Sequence, residues 1–441
     1  VRYAKLMGYS AISPVIIKWF SANYSEPLNG YTSINIDGRN YWAKMPYDPS
    51  GGKDAEPAVP GKESVHVRYL AATKRYGLNY IPRFEWGGSQ DLPVEARAIS
   101  EDGSPVKPNR FADWCSNLLH PATWDDLKKL MDHLVKPYVK DNPQLAGALW
   151  RIRCNRMPIS YGRADIELFA EETGTKLPAG GEAQLAAWAS REMKAKYDDW
   201  WHWKRAEFHG KLADLMQSYR HGLTLYYYNW DEDKFGLVEP DINMWAFLGQ
   251  VDSGIPEGGR AAYEKDRALR KSFTAADYIS VMRAGNFGKA SKGINRADYG
   301  IRPELYVNTK GFQIFAPANY PCYADMPEYL NYFQTADGLA VSNVVSYDEV
   351  NARFINPKYE GNMITPAGPA FSMAIELLSY FHGDARTLNY TVYTYGRGFA
   401  DAHRRFAQAF LALPAIPGIV VEQGDGDLKV RVYPSANGTY V

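Results

Sequence analysis

Short apolar runs rich in β-branched and aromatic residues recur along the chain, each followed by a polar cluster and later by a helical stretch. This alternation is typical of a parallel sheet, either closed into a barrel or doubly wound. The runs number seven, at residues 13–19, 79–86, 147–155, 223–231, 278–284, 338–349 and 388–397. Amphipathic helices are predicted between them, at residues 124–139, 165–173, 182–220, 370–381 and 400–413.

A doubly wound sheet that binds a nucleotide carries a glycine-rich phosphate loop after an early strand, and this sequence has none. The nearest pattern, GRGFAD at residues 396–401, follows the last run and lacks the final glycine. The HExxH motif of metalloproteases and the GxSxG motif of serine esterases are also absent from the sequence. We therefore predict a (β/α)8 TIM barrel that uses neither a metal nor a cofactor.

Seven runs leave the barrel one strand short. The opening VRYAKLMGYS has the pattern of a helix that ends at Gly8, so the first strand is expected before Val1 or in a segment that the pattern does not reveal. The runs then become strands two to eight. The predicted barrel covers residues 1–413, with its clearest long loops at residues 24–63 and 234–260. Residues 414–441 alternate around a Gly-Asp turn, which predicts the start of a small β domain.

The composition restricts what such a barrel acts on. Lysine and arginine together number 50, as do aspartate and glutamate, so net charge gives no attraction to nucleic acid. No apolar run reaches the ~18 residues of a membrane-spanning helix. The 32 Tyr, 18 Phe and 12 Trp favour a carbohydrate substrate, because flat rings with polar tips suit the faces of sugars. The oligomeric state and the location are not fixed, although a polysaccharide substrate would favour an extracytoplasmic location.

In (β/α)8 barrels the residues that carry chemistry lie at the C-terminal ends of the strands. Six carboxylates meet this condition: Glu85 after YIPRF, Asp231, Glu232 and Asp233 after YYYNW, and Asp348 and Glu349 after NVVSY. The candidate catalytic residues among them are Glu85, Asp231, Glu232 and Glu349. Hydrolysis of a glycosidic bond needs two carboxyl groups, one to protonate the leaving oxygen and one to act as nucleophile or to activate water. We expect Glu349 to face one of the other three across the barrel mouth.

The order of strands resembles the clan of retaining (β/α)8 glycosidases, whose acid/base glutamate ends the fourth strand and whose nucleophilic glutamate ends the seventh. SYDEVN carries the resemblance, because its glutamate, Glu349, ends the run counted as strand seven; this implies that Glu349 is the nucleophile. In the run counted as strand four, RIRCNRMPIS, Asn155 stands where that clan has its acid. Glu232, Asp231 and then Glu85 are the candidates for the acid/base, since adjacent aromatic residues would raise their pKa. The chain as a whole is also similar to agarase-type galactan hydrolases.

Arginine, aromatic and amide residues crowd the same strand ends and form the predicted substrate-binding set: Arg83, Trp86, Arg151, Arg153, Asn155, Asn229, Trp230, Tyr347, Tyr395 and Arg397. Arg83 and Glu85 share a strand face by the two-residue period. The arginines either select an anionic polysaccharide through bidentate contacts or neutralise the catalytic carboxylates. At least two of the tryptophans near strand ends are also predicted to line the pocket: Trp19, Trp86, Trp150 and Trp230.

The leading hypothesis is hydrolysis of a glycosidic bond in a poly- or oligosaccharide by a carboxylate pair, with retention of configuration as the resemblance implies. One alternative is a polysaccharide lyase, in which an arginine neutralises a uronate and a tyrosine acts as base. The other is a barrel that binds glycan without turning it over. The sequence does not fix the sugar, the linkage or the point of cleavage along the polymer.

Overall fold

The computed structural model describes residues 1–17, 31–36, 39–44, 65–84, 86, 88, 92–106, 115–151, 157–228, 302–318, 335–336, 341–344, 374–390, 400–421 and 428–441. Within these residues the helices are α1 (Arg2–Leu6), α2 (Val65–Tyr76), α3 (Pro121–Leu134), α4 (Arg163–Thr173), α5 (Glu182–Ala187), α6 (Lys194–Tyr219), α7 (Ala374–Gly383) and α8 (Ala400–Ala412). The strands there are β1 (Ala11–Ile12), β2 (Val15–Ile17), β3 (Tyr31–Ile36), β4 (Arg39–Lys44), β5 (Asn79–Tyr80), β6 (Arg83–Phe84), β7 (Gly147–Arg151), β8 (Thr224–Tyr228), β9 (Phe312–Ala318), β10 (Val341–Val344), β11 (Thr387–Tyr390), β12 (Ile419–Val421), β13 (Val430–Ser435) and β14 (Gly438–Tyr440). They belong to two compact units, one formed by Val1 and Ser10–Tyr228 and the other by Arg2–Tyr9 and Asn229–Val441.

The sheet of the first unit has the strand order β3-β4-β2-β6-β7-β8. Its strands β2, β6, β7 and β8 are parallel neighbours, and the register pairs Arg83 with Val15 on one side and with Leu149 on the other. On the far side of β2, the antiparallel β4 forms a hairpin with β3. A short parallel pair, β1 with β5, also belongs to this unit. Helices α2, α3 and α6 lie in the connections, as parallel strands require.

Strand β7 reads as a continuous apolar run because both of its faces are buried. Ala148, Leu149 and Trp150 are consecutive and all lie in the core. Helix α3 begins beside this core after His120, whose Nδ1 accepts a hydrogen bond from the amide of Ala122 at 3.2 Å. This bond satisfies one of the free amides at the start of the helix.

The single helix predicted over residues 182–220 is two helices in the structure. α5 ends at Ala187, a π-helical turn covers Trp188–Glu192, and α6 begins at Lys194. The extra residue in such a turn rotates the helix that follows, so the apolar faces of α5 and α6 are not continuous. The other predicted helices are confirmed to within a few residues wherever the structure describes them.

In the second unit β9, β10 and β11 form a parallel sheet with β10 at its centre. Val341 of β10 pairs with Phe315 on one side and with Thr387 on the other. Helix α1 belongs to the same unit and lies against α8, where His403 Nδ1 is 2.7 Å from the carbonyl oxygen of Met7. Gly8 follows α1 with a φ of 85°, as its predicted place at the end of a helix requires.

Strands β12, β13 and β14 form a three-stranded antiparallel sheet near the C-terminus. It is joined to the end of α7 by Tyr433, whose hydroxyl donates to Asp384 Oδ1 at 3.0 Å, and by Arg431, whose Nε donates to the carbonyl oxygen of Phe381 at 3.0 Å. The β pattern predicted after residue 413 is therefore confirmed. That these strands begin a separate domain stays a prediction.

Parallel sheets with intervening helices confirm a mixed α/β fold. Six of the seven predicted runs contain a strand within the described residues, and the run at 278–284 lies outside them. Three features were missed: helix α2, the parallel strand β9, and the β3–β4 hairpin inside residues 24–63, which were predicted to form a loop. Closure of the parallel strands into a barrel stays a prediction.

Candidate functional site

Strands β6, β7 and β8 end side by side. Phe84 pairs with Trp150, and Arg151 pairs with Tyr228, so the last residues of the three strands lie at one edge of the sheet. In α/β proteins, binding and catalytic residues gather at this C-terminal edge. In the chain, Glu85 follows β6 directly, and Asp231 and Glu232 come within four residues of the end of β8. This edge is therefore the candidate functional site.

Most of the predicted site residues lie outside the described residues, so their roles stay predictions: Glu85, Arg153, Asn155, Asn229, Trp230, Asp231, Glu232, Tyr347, Glu349, Tyr395 and Arg397. For Arg151 the structure describes the backbone, which ends β7 opposite Tyr228. Arg83 and Trp86 are the two members of the predicted set whose side chains are described. They lie on opposite faces of the sheet.

Trp86 packs on the face of the sheet that is covered by helices. Its ring stacks on Trp150 with 5.6 Å between centroids, and its indole N–H donates to Asp126 Oδ2 of α3 at 2.9 Å. The register places Trp150 beside Tyr227, which contacts His209 of α6 with 4.6 Å between ring centroids. Trp86 is 1% exposed and Trp150 is 0% exposed, so neither ring offers a surface on which a sugar can stack.

With Trp86 and Trp150 in the core, the prediction that at least two of the four tryptophans line the pocket rests on Trp19 and Trp230, and these contacts give no support to a role of Trp86 in substrate binding. Side chains along a strand alternate between its two faces, so if Arg83 faces the pocket, then Phe84 and Trp86 face the other way. A position near a strand end does not by itself decide which face a residue takes. The same prediction for Trp19 and Trp230 falls on residues outside the described ones.

Arg83 lies on the opposite face, because adjacent residues of a strand alternate between faces. It is half-buried and in register with Leu149, which itself pairs with Tyr226 of β8. Tyr226, which the sequence analysis did not select, is also half-buried. This row therefore combines a guanidinium and a phenol, which can hydrogen-bond to the carboxylate and hydroxyl groups of a sugar. The role of Arg83 in substrate binding stays a prediction.

Buried hydrogen bonds fix residues 157–162, which lead from β7 into α4. Arg205 Nη2 of α6 donates to the carbonyl oxygen of Met157 at 3.0 Å, and the hydroxyl of Tyr197 donates to that of Ser160 at 2.6 Å. The amide of Ile99 donates to Ser160 Oγ at 3.0 Å from the connection that follows β6. Helix α6 and this connection thus hold the loop from two sides.

Asp165, in the first turn of α4, is a buried carboxylate beside the same loop. Asn117 Nδ2 donates to its Oδ1 at 3.0 Å and to its Oδ2 at 2.9 Å. Burial raises the pKa of Asp165, and hydrogen bonds from Asn117, Ser160 and the Gly162 amide oppose that rise. Because its oxygens already accept these bonds, Asp165 is suited to joining the segment before α3 to the start of α4.

The sequence analysis missed this network. An acidic residue in the first turn is an ordinary signal for the start of a helix, so Asp165 could have been recognised in that role. Its partner Asn117 is 48 residues away in the chain, as Met157 is from Arg205. Local patterns carry no information about partners at that distance.

No protein-family model matches the chain, and no curated protein is significantly similar to it in sequence. Within the described residues, His, Cys, Asp and Glu form no group of three or more that could hold a metal ion. Of the helices that the structure describes, none is both long and apolar enough to cross a membrane.

Proposed function

We propose that the protein is a glycoside hydrolase that acts on a poly- or oligosaccharide through two carboxyl groups at the mouth of a (β/α)8 barrel. The order of the parallel strands in the first unit carries the proposal. β2, β6, β7 and β8 are parallel neighbours and follow one another in this order along the chain, so they are its first to fourth parallel strands. β8 is thus the fourth, and Asp231 and Glu232 follow it in the chain.

This count differs from the one made from the sequence, in which the run at 147–155 was fourth and Asn155 stood in the place of the acid. With β7 third and β8 fourth, the resemblance to the retaining clan favours Glu232 or Asp231 as the acid/base over Glu85. Glu349 follows the parallel strand β10 and keeps the proposed role of nucleophile.

The barrel belongs to the same proposal. Seven parallel strands are described, namely β2, β6, β7, β8, β9, β10 and β11. The run at 278–284, which lies outside the described residues, is a candidate for the eighth. β9 is a segment that the sequence pattern did not reveal, and with it the proposed count reaches eight.

In the proposed mechanism Glu349 attacks the anomeric carbon while Glu232 or Asp231 protonates the leaving oxygen. The acid residue then acts as base and activates the water that releases the sugar. Retention through this glycosyl-enzyme requires the two carboxyl groups to be about 5 to 5.5 Å apart. Arg83 and Tyr226 would supply a cation and a hydroxyl to orient the sugar.

Release of reducing ends from a panel of neutral, uronate and sulfated polysaccharides tests the proposal. Wild type should hydrolyse at least one of them, and Glu349→Gln should abolish the activity. Glu182→Gln, at an exposed glutamate of α5, is the matched control and should behave as wild type. Unsaturated products would indicate a lyase, and binding without turnover would indicate a glycan-binding barrel; both results contradict the proposal.

The acid/base assignment has its own test. Removing the general acid should lower kcat by about 10²- to 10⁴-fold, and by less on substrates whose leaving group needs no protonation. Glu232→Gln or Asp231→Asn should show this dependence on the leaving group, and Glu85→Gln should not. If Glu85→Gln alone shows it, the strand count does not identify the acid.

A further inference from the structure

Four titratable side chains are buried along one face of α6, at a spacing of three or four residues: Asp198, His202, Arg205 and His209. Burial, and then the positive charge of Arg205, lowers the pKa of His209 to about 3, so that imidazole is neutral near pH 7. Arg205 is 7% exposed. Removing a guanidinium group from water costs free energy unless its N–H groups donate hydrogen bonds. The groups that accept from Arg205 therefore help to make its burial possible.

The guanidinium of Arg205 reaches from α6 to the loop that follows β7. Its Nη2 donates to the carbonyl oxygen of Met157 at 3.0 Å, and both residues are buried. Two turns earlier on α6, the hydroxyl of Tyr197 donates to the carbonyl oxygen of Ser160 at 2.6 Å. α6 therefore holds two main-chain carbonyl groups of this loop, three residues apart. Hydrogen bonds to buried charged donors are among the stronger ones in proteins.

Met157 is close in the chain to two predicted substrate-binding residues. Asn155 precedes it by two residues and Arg153 by four. Covalent geometry limits the distance between the Cα atoms of Asn155 and Met157 to about 7 Å. We therefore expect a shift of Met157 to affect the predicted binding residues just before it in the chain, and small displacements of binding residues have large effects on rate.

We propose that Arg205 is a positioning residue, which fixes residues 157–162, the segment that follows the predicted substrate-binding residues Arg153 and Asn155 in the chain. The functional part of this inference rests on the proposed function. If position 205 served only the core, an apolar side chain of similar length would pack there without the cost of a buried charge. The guanidinium group donates a hydrogen bond to a main-chain carbonyl group, which an apolar side chain cannot do.

Hydrogen exchange over residues 157–162 tests the positioning without any substrate. Arg205→Met keeps the length of the side chain and removes its donors. The amide of Tyr161, which donates to the carbonyl oxygen of Ile99 at 2.8 Å, should then exchange about tenfold faster or more. Arg205→Lys keeps a charged donor and should restore part of the protection.

Arg220→Met is the matched control, because Arg220 at the far end of α6 also donates to main-chain carbonyl groups. Its Nη1 bonds to those of Val139 at 2.8 Å and of Asn142 at 3.1 Å. This variant should leave exchange over residues 157–162 as in wild type. Unchanged exchange in Arg205→Met, or equally fast exchange in Arg220→Met, overturns the inference. Should Arg205→Met fail to fold, Arg205→Gln takes its place and is judged in the same way.

Kinetics on a polysaccharide that wild type hydrolyses test the functional part. Arg205→Met should lower kcat/KM about tenfold, Arg205→Lys should recover part of the loss, and Arg220→Met should show none. Faster exchange with unchanged kcat/KM overturns the positioning role. If wild type hydrolyses no polysaccharide, the proposed function fails, while the exchange data still decide whether Arg205 fixes the loop.

Discussion

Asp165 in the first unit and Asp384 in the second are both buried carboxylates that join distant segments of chain, but their partners differ in charge. Asp165 accepts hydrogen bonds from neutral donors, chiefly the amide of Asn117 at 2.9 and 3.0 Å. Asp384 instead faces two guanidinium groups, with Arg386 Nη2 at 3.5 Å and Arg431 Nη1 at 3.6 Å. The first network is neutral apart from the carboxylate, and the second is ionic.

This difference decides how each network responds to change. Burial raises the pKa of Asp165, against hydrogen bonds from neutral donors and a weaker attraction to His120, so the stability of the first network depends on whether Asp165 is protonated. Around Asp384 the side chains of Arg386 and Arg431 are 7% and 9% exposed. Removal of the carboxylate there leaves two buried positive charges, which is among the most destabilising changes a protein can undergo.

The largest expected effect is therefore at Asp384. Asp384→Asn should lower the free energy of unfolding by about 3 to 5 kcal/mol, because both guanidinium groups lose their counter-charge. Asparagine tolerates the left-handed φ of 48° at this position, so backbone strain does not contribute. Thermal denaturation and hydrogen exchange of β13 measure the effect. Asp401→Asn, at a carboxylate that pairs with Arg404 on the surface, should change stability by less than about 0.5 kcal/mol. Equal losses of unfolding free energy in the two variants would show that the buried carboxylate of Asp384 stabilises the protein no more than a surface carboxylate does.

Two buried histidines of the first unit are also held neutral in the folded state. We therefore expect the protein to lose stability at acid pH. Burial lowers the pKa of His66 to about 4 and that of His209 to about 3. Because the unfolded chain binds these protons near pH 6.5, their contribution to stability is present above that pH and is lost as pH falls towards the folded pKa. His66 alone should account for about 3 kcal/mol between pH 6.5 and 4.

Urea denaturation across this pH range measures the loss, and His66→Gln should flatten the dependence. His221→Gln, at an exposed histidine beyond the end of α6, is the control and should leave the slope as in wild type. A slope in His66→Gln equal to that of wild type would show that His66 is not held neutral in the folded state.

Asp165 should show the opposite dependence on pH. Its folded pKa is raised, so its contribution is fully present below the unfolded pKa of about 3.9 and is lost as pH rises through the folded value. Asp165→Asn should therefore cost most at acid pH, about 1 to 2 kcal/mol, and less at pH 7. Unfolding free energies of wild type and variant over this range test it. A cost that grows with pH would mean that Asp165 works as an ion, as Asp384 does.

The smallest effect is steric and tests how closely the neutral network is packed. A Cβ atom added to Gly162, before the first residue of α4, would lie 3.0 Å from Asp165 Oδ2 and 3.2 Å from Ile99 Cγ1. Gly162→Ala should cost about 1 kcal/mol more than Gly181→Ala, in which the added atom has no neighbour within 4 Å. Both glycines precede a helix with extended backbone angles, so the difference in melting temperature isolates the crowding. Equal decreases in the melting temperature of the two variants would show that the loop before α4 moves to accommodate the added atom.

Some of what was missed was present in the sequence. The β3–β4 hairpin joins YTSINI and RNYWAK through Asp-Gly, which is among the strongest local signals for a two-residue hairpin, but the Gly- and Pro-rich surroundings suggested a loop. β9 reads FQIFAPA, and its Pro317 argues against a strand even though it pairs with Asn343 of β10. The count of parallel strands in the proposed barrel depends on β9.

The sequence by itself determined the local structure of this protein: strands and helices, the end of α1 at Gly8, and carboxylates that follow strand ends. Those features depend on periodicity and capping, which act over a few residues. Only the tertiary structure decided that Trp86 packs against Trp150 and Asp126, and that Arg205 reaches Met157. Alternation along a strand defines two faces, but the element that packs on a face determines which of them is buried, and that element is distant in the chain.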